Sequence, residues 1–192
     1  MSDLIVKEGP GFERELPPAE PTVGVCWNVF NVGLQENKLG APRHRVVIYW
    51  EIDVRYTHGD FKGKRMLISQ EYTATLAKKG YLRRDLEAWR GKPFNEYELK
   101  GFDLSKLRGY ACLLNIVHND GYANVQSIMA LPKGTPKFEL ETDADYIPKR
   151  VTNLLAKQIV QENKDTDEIA ENGWNQTETQ GRPPTDEEVE MF

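Results

Sequence analysis

Apolar and polar positions alternate most clearly in RHRVVIYWEIDVRY, residues 43–56. Successive side chains of a strand point to opposite faces. One set, His44, Val46, Ile48, Trp50, Ile52, Val54 and Tyr56, is expected to line a core. The other, Arg43, Arg45, Val47, Tyr49, Glu51, Asp53 and Arg55, is expected to face water or a ligand. Upstream, TVGVCWNVFNVG (22–33) is β-branched and aromatic without a helical period, so it reads as a strand ended by Gly33. Residues 34–42 (LQENKLGAP) read as a polar loop. Downstream, THGDFKGK (57–64) carries turn residues and leads into a strand at about 65–74, a hairpin with a long basic tip.

The period then changes. In YLRRDLEAWR (81–90), Leu82, Leu86 and Trp89 form one helical stripe, closed by Gly91 and Pro93. Short helical turns are expected over 94–107. Strands follow at 109–118 and 122–131, joined by Asn119-Asp120-Gly121, a strong hairpin turn. Three strands, a helix and two strands is the order of the five-stranded OB barrel, whose helix sits between the third and fourth strands. The expected fold is therefore mainly β: an OB barrel over 22–137, with 1–21 as an extended lead-in. An SH3-like barrel, which usually lacks so substantial a helix, and a generic α+β domain are the rivals. Residues 138–163 form a linker whose stretch 146–163 holds an amphipathic C-terminal helix (Val151, Leu154, Leu155, Ile159, Val160), expected to pack on the barrel or on another copy. From about 164 the chain is polar, acidic and poor in aromatics, the composition of a disordered tail.

Charge changes this picture more than composition does. The 192 residues carry a net charge of −5, and 39% are hydrophobic, enough for one domain with solvated ends. Residues 1–21 hold two basic and five acidic side chains (−3), residues 22–137 hold 18 and 11 (+7), and residues 138–192 hold five and 14 (−9). A basic middle is thus followed by an acidic end, TDEEVEMF, in which Asp186, Glu187, Glu188 and Glu190 lead to Phe192. There is no apolar run long enough to span a membrane and no secretion signal at the N-terminus. Cys26 and Cys112 suggest no disulfide framework, so a cytoplasmic protein is expected.

Catalytic chemistry finds little support. Phosphate loops, dinucleotide fingerprints, nucleophile elbows and zinc-protease motifs are all missing from the sequence. His44, His58 and His118 lack ligand spacing, and no metal or cofactor is expected. His118 beside Asp120 reads as a strand end and a turn. Glu51 and Asp53 read as a salt-bridged face, although with Asp120 they form the basis of a weaker, metal-dependent nuclease alternative. Single-strand binding fits better: cations replace phosphate counterions, and exposed rings stack on bases. Arg43, Arg45, Tyr49 and Arg55 share one strand face, and Phe61, Lys62, Lys64 and Arg65 sit at the hairpin tip. Trp27, Tyr72 and Tyr122 are further candidates for stacking, whereas Trp50 and Trp89 are expected in the core. OB folds bind through strands two and three and the adjoining loops.

The chain resembles a known family at this point. An OB domain followed by an acidic tail ending in phenylalanine is similar to the single-stranded DNA-binding proteins of tailed phages and bacteria. LRRDLEAWRGKPF, GFDLSKLRGYACLLNIVHN and ANVQSIMALPKG also resemble a group of small phage replication-cluster proteins described as single-strand binders. The resemblance implies DNA replication, recombination and repair without enzymatic activity. It also implies that Asp186, Glu187, Glu188, Glu190 and Phe192 contact replication and recombination proteins. The bacterial members carry a Gly/Gln-rich linker where this chain has a charged one, so their tetramer does not carry over; a dimer is the expected homo-oligomer. A non-enzymatic protein-interaction adaptor with an OB-like barrel is the alternative reading.

Overall fold

A computed structural model describes residues 15–37 and 40–158. Five antiparallel strands form one sheet in the order β3-β2-β1-β4-β5: β1 (Pro21–Asn37), β2 (Gly40–Arg55), β3 (Arg65–Thr73), β4 (Ala111–Asn119) and β5 (Tyr122–Ala130). Helices α1 (Tyr81–Arg90) and α2 (Glu96–Lys100) and a 3-10 turn (Leu104–Leu107) lie between β3 and β4. Residues 149–158 are helical (α3). The edge strands β3 and β5 approach each other, but no ladder joins them, so the sheet is not closed into a barrel. The fold is mainly β. No described helix is long and apolar enough to cross a membrane.

Periodicity explains most elements. Leu82, Leu86 and Trp89 are all buried, as their helical spacing predicts, and Gly91 ends α1 in the left-handed region at φ 68°. Asp120 (φ 50°) and Gly121 (φ 75°) supply the paired positive φ values that a tight two-residue hairpin needs. Val46, Ile48, Trp50 and Ile52 meet α1, Leu114, Ile116 and Ile128 in the main core. Trp50 and Trp89 pack with centroids 5.9 Å apart.

Two expectations are corrected. Gly33 does not end β1, and 34–42 is not a loop: β1 continues to Asn37 and pairs through Asn37↔Gly40. Gly33 lies at a register shift with φ 69°, so the glycine absorbs a bulge and the strand resumes. A side chain there would also strike α3, since a Cβ would lie 2.2 Å from Gln158 Cδ.

The second correction concerns β2. Its outer face is as buried as its inner one, with Val47, Tyr49 and Glu51 all shielded. Trp27, Val32, Val47, Tyr49 and Val151 form a second core, with Leu140, Leu154 and Leu155 packed against it. Residues 138–158 therefore cross this face and complete the sheet's other side. Trp27 Nε1 donates to Thr142 O at 3.1 Å, and Gln35 Nε2 donates to Leu154 O at 3.0 Å. The helix expected to pack on the barrel or on another copy thus packs on this sheet through Val151, Leu154 and Leu155, and residues 138–145 ahead of it lie on the same face.

Candidate nucleic-acid interface

The tip of the β2–β3 hairpin is a compact turn. Tyr56 N donates to Lys64 O, Gly63 N to Tyr56 O and Lys64 N to Phe61 O, at 2.8–3.0 Å. Gly59 (φ 72°) and Gly63 (φ 81°) supply the left-handed positions. Arg55 Nη1 pins the turn from below by donating to Gly63 O at 2.7 Å. The result holds Phe61 outward, 47% exposed, with its ring 5.7 Å from that of Tyr56 and Lys64 Nζ 5.8 Å from its centroid. A ring and an ammonium are thus presented together on a hydrogen-bonded loop.

That tip forms one wall of a cleft of about 1190 Å³. The outer edge of β3 (Leu67 to Glu71) is its floor, the start of β5 (Tyr122 to Asn124) stands opposite, and residues 141–150 close one side. Phe61, Tyr122 and Tyr146 line it, all of them exposed, together with Lys64, Lys149 and Arg150. Carboxylates line it as well. Glu15 accepts from Thr57 N at 2.9 Å, Glu71 takes Arg150 at 2.9 Å and Arg45 at 3.9 Å, and Glu141 takes Arg55 at 2.6 Å. Asp143 accepts from Asp145 N at 3.0 Å.

The structure separates the sequence-derived candidates. Phe61, Lys64, Arg65 and Tyr122 line the cleft, and Lys62 is exposed on the tip beside it. Arg43 is exposed at the other end of β2. Tyr49, expected on an open face, is 5% exposed, because residues 138–158 cover it and its ring packs edge-on to Trp27 and Phe30. Trp27 lies in the same second core and is fully buried. Tyr72 is buried in the main core, where its hydroxyl donates to Asp85 at 3.0 Å. Burial, then the Asp85 charge, drives that phenol far above its ordinary value, so it stays protonated. Trp27 and Tyr72 are closed to bases, and Tyr49 borders the cleft with only a sliver of its surface.

The arginines also have internal work. Arg55 forms a fork on Glu141, at 2.8 and 2.6 Å. Arg65 reaches Glu51 at 3.3 Å, Asp53 at 3.1 Å and Glu139 O at 2.6 Å, and its guanidinium lies 4.2 Å from the centroid of Phe138. Tyr146, Lys149 and Arg150 belong to the site and were missed. The signal was present in YIPKR, a ring and two cations within five residues, but the helical period there drew the reading toward packing.

The remaining candidate chemistry resolves into structure. Glu51 and Asp53 engage Arg65, and His118 Nε2 lies 2.7 Å from Pro17 O. Burial pushes the Cys26 thiol up to about 12 and the Cys112 thiol well above its usual value, so neither offers a thiolate. Among the described residues no group of three His, Cys, Asp or Glu side chains could hold a metal ion.

Glu141 links the cleft wall to pH. The hydrogen bond from Arg55, aided by the Arg65 charge, holds its carboxyl below the ordinary value of 4.5. A depressed carboxyl contributes stability that is present above the unfolded value and lost as pH falls through the folded one. Wild-type protein should therefore lose melting temperature more steeply than Glu141→Gln as pH falls below the ordinary carboxyl value of 4.5. Parallel melting curves would show this pair to be irrelevant.

No family model, curated protein or solved structure matches the chain.

Proposed function

We propose that the protein binds single-stranded DNA without sequence preference, in the cleft between the β2–β3 hairpin tip, the β3 edge and the start of β5. The observation that carries this reading is the convergence of Phe61, Tyr122 and Tyr146, 40–59% exposed, with Lys64, Lys149 and Arg150 on one concave surface. Rings supply stacking surfaces that any base can use, and the cations follow the backbone. The charge of residues 22–137, 18 basic against 11 acidic, favours the same ligand.

The sheet is read as a partly open OB barrel. A helix between the third and fourth strands supports this, as do five antiparallel strands and the approach of β3 to β5. Binding shifts from the face of β2, which is covered, to the adjoining loop and edge. The biological setting follows from the resemblance: replication, recombination and repair in a cytoplasm, with the acidic end recruiting partner enzymes. That end, Asp186, Glu187, Glu188, Glu190 and Phe192, lies outside the described residues.

The test is fluorescence anisotropy of labelled oligo-dT with the full chain. An attached label is the reporter, because Trp27, Trp50 and Trp89 are buried away from the cleft surface and Trp174 lies outside the described residues. Saturable binding that weakens with salt is expected, and Phe61→Ala should cost about 1–3 kcal/mol, the value of one stacked base. No binding at low salt refutes the reading. One observation favours a second reading: Glu15, Glu71, Glu141, Asp143 and Asp145 interleave with the cleft's cations. A mixed-charge groove suits a peptide, and a stoichiometric protein partner without DNA affinity would identify an adaptor instead.

A further inference from the structure

A second cationic surface lies just beyond the cleft. The cleft floor runs along β3 as far as Glu71. Thr73, two residues further and roughly 7 Å along the strand, pairs with Arg45. Ala74 N then donates to His44 O at 2.9 Å, which seats the chain leading into α1 beside the exposed Arg43. A tight turn, Gly80 N to Ala77 O at 2.8 Å, carries Lys78 and Lys79 on its outside.

No carboxylate occurs between Tyr72 and Arg84, and this stretch holds Lys78, Lys79, Arg83 and Arg84. Lys78, Lys79 and Arg43 form no ion pair among the described residues. Glu71 and Asp85 bracket the stretch in sequence, and Glu71 is engaged by Arg150 at 2.9 Å and Arg45 at 3.9 Å. Asp85 is likewise engaged: it is buried, accepts from Tyr72 at 3.0 Å and takes Arg84 at 2.7 Å. Tyr81 is 71% exposed, with the Arg84 guanidinium 4.8 Å from its ring centroid. Most of the ring faces solvent, and a guanidinium on one face backs it as a flat platform.

We propose that Arg43, Lys78, Lys79 and the Tyr81–Arg84 platform continue the single-strand path out of the cleft, past the end of β3 and onto the start of α1. The proposal rests on the single-strand reading of the cleft and extends it to residues from a second part of the chain. Its chemistry is the same: unpaired cations spaced along an edge for phosphates, and one exposed ring for a base.

The experiment compares full-length wild type, Lys78→Glu/Lys79→Glu and Tyr81→Ala on labelled oligo-dT across a salt series. Lys133→Glu/Lys137→Glu is the control, an equal charge change at exposed positions outside the path. Removing two phosphate contacts should make the log–log salt slope shallower by about 1.4, at ~0.7 per contact on single strands. Tyr81→Ala should weaken binding at least about fivefold. Thermal melting of each variant separates a binding loss from a folding loss. If wild type binds and Lys78→Glu/Lys79→Glu behaves like the control, this proposal is overturned while the cleft stands. Wild-type protein that binds an acidic protein but no oligo-dT overturns both.

Discussion

A chain ending at Lys137 is expected to lose cooperative unfolding altogether. Sequence composition places a domain boundary there, yet the sheet has two buried faces and residues 138–158 cover one of them. Removing that layer bares Trp27, Val32, Val47 and Tyr49, which are all buried in the full chain. At about 1.5–3 kcal/mol per large apolar side chain, the loss is about 6–12 kcal/mol. A whole domain is stable by only about 5–15 kcal/mol. The truncation also strands the indole N–H of Trp27, which donates to Thr142 O, and the carboxylate of Glu51. Near-UV circular dichroism should be flat and the denaturant transition broad. A sharp transition with native-like signal would show that the β2 outer face does not need its cover.

Replacing Glu51 by alanine should cost about 3–5 kcal/mol, the penalty for removing one partner of a buried charged network. Glu51 is fully buried in the middle of β2 and is held by four contacts. Its oxygens accept from Glu141 N at 3.1 and 3.2 Å and from Thr142 N at 2.8 Å, and Arg65 Nη1 lies 3.3 Å away. Alanine leaves two backbone N–H groups without acceptors under a closed layer and costs Arg65, itself mostly shielded, one of its carboxylates. Asp53→Ala is the contrasting change. That side chain is 63% exposed, so its pair with Arg65 should be worth less than about 1 kcal/mol. Urea titration of both variants decides the matter. Equal midpoints would mean that Glu51 does not clamp residues 141–142 to the sheet.

What could be read beforehand was whatever local periodicity controls. Leu82, Leu86 and Trp89 announced α1, Asn119-Asp120-Gly121 announced the last hairpin, and Val46, Ile48, Trp50 and Ile52 announced the main core, whereas His44, expected in the same row, is exposed. The odd-numbered face of β2 could not be read locally. Arg43, Arg45, Glu51, Asp53 and Arg55 gave it a solvated look, but its cover lies about ninety residues away in sequence. Buried charge on that face became legible only through the partners that arrive with Arg65, Glu141 and Thr142. Gly33 misled for a similar reason, since a bulge and a strand end call for the same residue. At the site, Phe61, Lys64 and Tyr122 were visible because turns expose what they carry. Tyr146, Lys149 and Arg150 were obscured because a helix start also accounts for them.

The double burial of β2 has a consequence for biosynthesis. A β1–β2–β3 meander can form from neighbouring segments as soon as it leaves the ribosome, but both of its apolar sides are then bare. One waits for α1 and β4, and the other for Val151. At about 5–20 residues per second, the interval from Thr73 to Val151 lasts roughly 4–16 s. Until it ends at least one apolar side of the nascent sheet lacks its lid, and this is the stage at which a holding chaperone would make its largest difference to yield.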